Sequence, residues 1–369
     1  MKLYQLAFIG GLLCSSYAAA DGVYPVMAPN VTVLQEYELP SGAPADDYIW
    51  DHGYIGAYGY NQRSFPFNCD YSSLGQSCTH QSNSSTITIT LTERRSGMRF
   101  PLKLQGYLNA YYYDADSPND SFICETNAPL NNNHAAACGD ITTNSRLLTV
   151  YIPQSEMNNL PVGGVWDGHL QLITGGNWSG HKYTADITLK GKATGKQDIY
   201  FPEFNGANPL VQLDLHPTGS ITGNGFVEDT TTLDMCLYDG YNSNSDSMIL
   251  SFKDEGKPAA ARKDGYFSIY NDATGGTGEA ERIDYRVEMF DPHSKGWMRV
   301  KNNETNTLSA GVNGQDQVRP VRLPSITYPV LCAPAPLRLI VEKFRVTDKA
   351  AGYYKGILSV EFSPSLNSI

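Results

Sequence analysis

The sequence predicts an all-β chain built as two β-sandwich domains in tandem. Three observations carry this expectation. Tyrosine is frequent at 24, with 34 Gly and 21 Pro in 369 residues. Tyr, Thr and Val favour pleated strands, while Gly and Pro end them. No segment with helical periodicity exceeds about two turns, so the interleaved helices of an α/β sheet are missing. The strand-like runs also fall into two series, either side of residues 202–209 (PEFNGANP). Asn-Gly favours a turn, and Asn208 is pushed out of the helical region by Pro209. Residues 205–209 are therefore the expected linker between domains 21–204 and 210–369.

The first 20 residues read as a signal peptide. Lys2 supplies the positive start, residues 6–13 (LAFIGGLL) the short apolar core, and Ala18, Ala19 and Ala20 the small-residue cleavage site. An exported chain is expected. Residues 21–39 are weakly patterned and extended. Residues 48–60 (YIWDHGYIGAYGY) alternate aromatics with glycine. Such rings can stack on sugars, or equally fill a sandwich core or pack a loop.

The clearest strand is 85–93 (STITITLTE), with Ile87, Ile89 and Leu91 on one face and threonines on the other. Phe100, Leu102 and Leu104 repeat the period after a turn at 94–97, which predicts a hairpin. Leu148, Val150 and Ile152 form a further run, and 155–160 can make one helical turn before Pro161. Leu170 and Leu172, then Ala185, Ile187 and Leu189, complete the first series. The second series alternates at Val211, Leu213 and Leu215; at Met248, Leu250 and Phe252; and from Ile283 to Met289. It ends with 337–341 and with Leu358, Val360 and Phe362.

Cys14 leaves with the signal peptide. The six others, Cys69, Cys78, Cys124, Cys138, Cys236 and Cys332, suggest three disulfides in an exported chain. Many pairings are possible. The sequential one is simplest, because it keeps each bridge on one side of residue 205. A short Cys69–Cys78 loop would be worth roughly 2–3 kcal/mol and a long Cys236–Cys332 loop about 4–5 kcal/mol.

Signs of chemistry are few. The net charge of −11 argues against nucleic acid, which needs clustered Lys and Arg. The cysteines lack metal-type C-x-x-C spacing, and the seven histidines show no i, i+4 pair. No metal and no cofactor are expected. Residues 219–223 (GSITG) misplace the serine of a nucleophile elbow. Asp114, Asp116 and Asp120 lack the turn glycine and closing glutamate of a calcium loop. Arg63, Arg94 and Arg95 stand out on an acidic chain. They are either turn and strand-end charges or a small cationic site for an anionic or hydroxyl-rich ligand.

Several blocks resemble a known family. Residues 234–245 (DMCLYDGYNSNS), 328–334 (YPVLCAP) and 351–365 (AGYYKGILSVEFSPS) look like the pilin domain of the minor tip adhesins of class 5 fimbriae. That family includes the CFA/I-type tip adhesins and the cable-pilus initiator proteins. Residues 92–107 (TERRSGMRFPLKLQGY) and 150–166 (VYIPQSEMNNLPVGGVW) resemble its adhesin domain. The blocks run in order across nearly the whole mature chain, and the six cysteines fall at matching places.

The resemblance implies two immunoglobulin-like β-sandwiches joined end to end. The N-terminal domain would bind host-cell receptors, expected to be glycans of glycolipids or glycoproteins. The C-terminal domain would be an incomplete pilin fold lacking its last strand. A periplasmic chaperone, and then the N-terminal strand of the major pilin, would fill the gap by β-augmentation. An outer-membrane usher and a place at the fimbrial tip on the cell surface follow. The family's receptor site is a cationic patch, and Arg63, in residues 61–69 (NQRSFPFNC), matches one of its arginines. Its two adjacent arginines are replaced here by Gly176 and Asn177. A reshaped site is expected from Arg63, Trp178, His181 and Lys182, with Arg94 and Arg95 as further positive candidates. Two other readings are a tip subunit that starts the fibre without binding a receptor, and a secreted glycan-active enzyme.

Overall fold

The structure is a computed structural model. It describes residues 27–364 apart from 58–65, 71–74, 115, 133–136, 139–140, 143–144, 177–178, 193–195, 218–224, 241–244, 246 and 310–317. The expected signal peptide, Arg63 and Trp178 lie outside the described residues.

The first half is strand-rich, as its alternating runs require. Its strands are β1 (Asn30–Glu38), β2 (Asp47–Ala57), β3 (Phe67–Cys69), β4 (Ser77–His80), β5 (Ser85–Glu93), β6 (Arg99–Tyr112) and β7 (Phe122–Ala128). After these come β8 (Ala137–Cys138), β9 (Ile141–Thr142), β10 (Ser145–Ile152), β11 (Gly164–Thr174) and β12 (Lys182–Lys192). The main sheet runs β1-β12-β11-β5-β6-β10-β2, with β3 also on β11, β4 on β5 and β7 on β6. Strand β5 has the expected bounds, and Ile87, Ile89 and Leu91 are sealed in the core. The expected hairpin is β5 to β6, with Thr92 opposite Arg99. The helical turn is α1 (Gln154–Asn158), held by the Tyr37 hydroxyl donating to the Met157 carbonyl at 2.7 Å and by the Gln154 N–H donating to Asp46 Oδ1 at 2.8 Å.

The second half comprises β13 (Asp198–Tyr200), β14 (Phe226–Leu233), β15 (Cys236–Tyr238), β16 (Ser247–Lys253), β17 (Phe267–Asn271), β18 (Arg282–Asp291) and β19 (Gly296–Val300). It continues through β20 (Thr305–Ser309), β21 (Arg319–Val321), β22 (Val330–Pro334), β23 (Leu337–Arg345), β24 (Tyr354–Lys355) and β25 (Ser359–Pro364). They pair in the orders β13-β15-β22-β21, β14-β23-β18-β17-β24 and β20-β16-β25. A separate core gathers Leu237, Leu250, Phe252, Phe267, Val287, Met289 and Leu337.

The change from one strand system to the other falls upstream of the stretch expected to be the linker. Asp198–Tyr200 already pairs with β15 of the second half, and Phe201 packs into the second core. Residues 205–209 follow as a turn of that half. Asn205 takes the left-handed conformation, and Phe201 and Gly206 form a β-bridge. Asn-Gly does make the turn its chemistry favours, but a turn former does not say whether a domain ends there. The next expected strand also differs. Val211, Leu213 and Leu215 pack against the second core, yet carry no ladder among the described residues. Alternation reports the buried face and not the presence of a backbone partner.

Disulfides join Cys69 to Cys78 and Cys236 to Cys332, each with Cα atoms 5.7 Å apart. Cys124 is also disulfide-bonded. The side chain of Cys138, its expected partner, is not among those described. The two halves meet through apolar contact: Tyr238, Leu323, Val330 and Leu331 of the second half join the core cluster of the first.

Candidate functional site

Strand β11 sorts the expected site residues into two groups. Its last residues pair with β12 on one side and β3 on the other: Ile173 opposes Lys182 and Asn68, and Thr174 opposes Phe67. Beyond Thr174 the chain turns back, and the Gly180 N–H donates to the Thr174 carbonyl at 2.9 Å. The His181 N–H donates to Thr174 Oγ1 at 3.0 Å, and the Thr174 N–H to the His181 carbonyl at 2.9 Å. These bonds hold His181 and Lys182 beside the end of β11, with both residues exposed. The Gly175 N–H donates to the Pro66 carbonyl at 2.8 Å. The segment that follows Arg63 is thereby tied to the same end of β11.

A polar network underlies this end. Gln171 exchanges hydrogen bonds with Gln76 and donates from Nε2 to Asp70 Oδ2. Lys182 Nζ lies 3.6 Å from Asp70 Oδ2. Asp70 is largely covered, so one carboxylate anchors both the framework and the ammonium. The Cys69–Cys78 bridge clamps the chain beside it. Rigid backbone under exposed cationic and imidazole groups suits recognition of a polar ligand.

Arg94 and Arg95 sit elsewhere. Arg94 Nε and Nη2 each donate at 3.0 Å to a different oxygen of Asp167, near the start of β11. The Asp167 hydrogen bond raises the basicity of this guanidinium further. From Asp167 to Ile173 the strand climbs six residues, about 20 Å at strand rise. Arg95 is buried, and its Nη2 reaches the Ser245 carbonyl of the second half at 3.4 Å. Its turn is fixed by the fully buried Glu93, whose Oε2 accepts from the Arg95 N–H at 3.0 Å and the Ser96 N–H at 2.6 Å. The structure thus divides the four expected residues that are described. His181 and Lys182 occupy the free end of the first half, whereas Arg94 and Arg95 occupy the end that meets the second. Arg95 has little exposed surface with which to meet a ligand, because the turn tucks it against the neighbouring half.

A second feature is a groove of about 620 Å³ in the second half, which sequence reasoning did not locate residue by residue. Its lining includes Tyr285, Leu337 and Leu339, with Leu210 and Ile357 exposed at its margin and Val360 on β25. Among the described residues strand β25 pairs with β16 alone. Val360 and Phe362 stand opposite Phe252 and Leu250 but remain half-buried, while their partners are sealed. An edge strand, an apolar trough beside it and exposed leucine and isoleucine on its rim form a template for one more strand. The alternation at 358–362 was visible in the sequence; which edge stays open was not. No group of three or more metal-ligating side chains occurs among the described residues.

A family model for the first domain of the CFA/I fimbrial protein CfaE matches residues 17–194, and one for the second domain of CfaE matches 197–366. The CFA/I fimbrial protein CfaE of Escherichia coli is 28% identical over 391 aligned residues, covering 100% of this chain and 98% of the relative. Among solved structures, CfaE, the adhesive subunit of CFA/I fimbria of enterotoxigenic Escherichia coli, matches with a TM-score of 0.64 at 22% identity, covering 94% of this chain and 95% of that one. A chain of a chaperone–tip adhesin complex of CFA/I fimbriae biogenesis matches with a TM-score of 0.52 at 23% identity, covering 94% and 98%.

Proposed function

We propose that this chain, which belongs to the CfaE family of CFA/I fimbrial proteins, is a fimbrial tip adhesin that binds a host-cell glycan or glycoprotein through its first half and joins the fibre through its second. The family is one of fimbrial adhesins and not of enzymes. The observation that carries the reading is the open edge of β25 beside the apolar groove. A strand from the major pilin would hydrogen-bond along that edge and lay alternate apolar side chains into the trough. A periplasmic chaperone would occupy the groove first, and an outer-membrane usher would pass the protein to the surface. The complex of a related tip adhesin with its chaperone supports the chaperone step.

The receptor site proposed for the first half takes Arg63 and Trp178 from the sequence together with His181 and Lys182, and the last two stand at the end of β11 remote from the second half. A remote end suits a group that must reach a surface while the other half is held in a fibre. The second reading, a tip protein without a receptor, draws on Gly176 and Asn177 standing where the family's paired arginines are expected.

Two measurements test these parts. The mature chain without chaperone or donor peptide should aggregate or melt early, and a donor peptide should raise its melting temperature; a well-behaved, high-melting monomer without donor overturns the anchoring mechanism. Arg63→Ala should weaken binding to host cells with an unchanged melting temperature, and undiminished binding removes the proposed receptor site.

A further inference from the structure

The outer face of β6, β10 and β2 carries a motif that neither the far end of β11 nor the groove uses. Leu148, Val150 and Ile152 of β10 point into the core, so Thr149 and Tyr151 lie on the opposite face, where Thr149 is covered and Tyr151 half-buried. Tyr107 of β6 opposes Thr149, and Tyr48 of β2 opposes Tyr151. The Tyr48 and Tyr151 rings lie 5.2 Å apart, tilted by 31°. Tyr48, on the edge strand β2, is 47% exposed. Tyr107 meets the His52 ring edge-on at 6.4 Å.

Strand β2 is bulged at this place. Leu148 opposes Gly53 and Val150 opposes Trp50, so Asp51 and His52 together face the single residue Thr149. His52 adopts φ +47°, a left-handed backbone that costs a residue with a Cβ. Its N–H donates to Thr149 Oγ1 at 3.1 Å, and its Nδ1 lies 2.6 Å from Asp51 Oδ1. Bulges re-aim side chains and are common beside functional sites. This one sets a well-exposed carboxylate at the rim of the tyrosine row. Burial, then the Tyr107 phenol and the Asp51 and Asp46 carboxylates, hold the Tyr48 phenol above its ordinary value, as expected if these groups share one surface.

We propose that this face is a second ligand site, a platform for an uncharged pyranoside of a surface glycan. The chemistry selects the ligand. The face of an aromatic ring is electron-rich and receives the apolar, slightly positive C–H face of a sugar, here on Tyr48 and Tyr151. Asp51 accepts hydrogen bonds from sugar hydroxyls, and the Tyr107 hydroxyl can donate or accept. The same carboxylates repel sialic acid and sulfated sugars. The site is independent of the cationic one proposed above and takes the opposite class of glycan.

The test uses the full mature chain with a donor peptide bound, titrated with methyl β-galactoside, methyl N-acetyl-β-glucosaminide and free sialic acid under saturation-transfer NMR. Saturation transfer to at least one neutral glycoside is expected, and an excess of free sialic acid should not displace it. Tyr48→Ala and Asp51→Asn should each weaken the neutral glycoside about tenfold, equivalent to roughly 1.4 kcal/mol. Asp51→Asn keeps the side-chain volume, so it reads the site even where Tyr48→Ala loosens the strand. Arg63→Ala, which addresses the receptor site at the end of β11, should leave neutral binding intact. Absence of neutral binding, binding undiminished in both variants, displacement of the neutral glycoside by sialic acid, or loss in Arg63→Ala alone overturns the platform.

Discussion

Arg94 and Asp167 form a two-point ion pair, with both contacts at 3.0 Å, between the β5–β6 hairpin and the start of β11. The same carboxylate accepts from the Thr188 hydroxyl at 2.9 Å, so it ties the hairpin to two strands. The side chains are 54% and 43% exposed, and solvent screens such a pair. Arg94→Ala is expected to cost about 0–1 kcal/mol and to leave cell binding at the far end of β11 unchanged. Thermal unfolding and a cell-binding assay on one preparation check both. A loss of binding with no loss of stability would return Arg94 to the receptor site.

Asp47 predicts a pH dependence. It opposes Ile152, and its Oδ2 is buried with no hydrogen-bond partner among the described residues. Burial pushes its carboxyl above the ordinary value of 3.8. A carboxyl with a raised folded value binds its proton more tightly in the native state. Its contribution is therefore most favourable below the ordinary value, and stability is lost as pH rises from there through the folded value. Asp47→Asn removes the buried charge. The variant should be more stable than the parent at neutral pH, with the advantage vanishing near about pH 3. Urea titrations at both pH values measure this; an advantage that persists in acid would contradict it.

The Cys236–Cys332 bridge spans 96 residues and links β15 to β22 at the core of the second half. Opening it with a Cys236→Ser, Cys332→Ser pair should cost about 4–5 kcal/mol by loop entropy. The variant should accumulate poorly in the periplasm and be rescued in part by excess chaperone. Chemical denaturation of the donor-bound chain gives the magnitude.

Gly164 opens β11 at φ +132°, a conformation almost confined to glycine. A Cβ there would stand 2.7 Å from Glu93 Oε1, inside the buried turn that fixes Arg95. Gly164→Ala should destabilise by about 1–3 kcal/mol from backbone strain, with a further loss from the displaced carboxylate. Its melting temperature is the readout. Proteolysis between the halves should quicken, because the Arg95 contact to Ser245 depends on that turn.

Much of this molecule is written locally. The alternation of Ile87, Ile89 and Leu91 determines a strand with one buried face, because side chains on a pleated strand alternate and only one face can leave water. The turn at 94–97, the helical turn before Pro161 and the Asn205–Gly206 turn are likewise properties of a few neighbouring residues. The resemblance carried by blocks such as 351–365 pointed to the family. Tertiary structure decided which residues share a place. Arg94 and Lys182 carry the same charge, and nothing in their neighbourhoods says that one lies against Asp167 and the other opposite Ile173, at opposite ends of one strand. The strand pairing of Asp198–Tyr200, and with it the point where one half gives way to the other, was equally invisible. So was the open edge of β25, and so was the bulge that turns Asp51 and His52 together toward Thr149. Each depends on long-range backbone pairing, which a one-residue change of register can reassign without changing any local pattern.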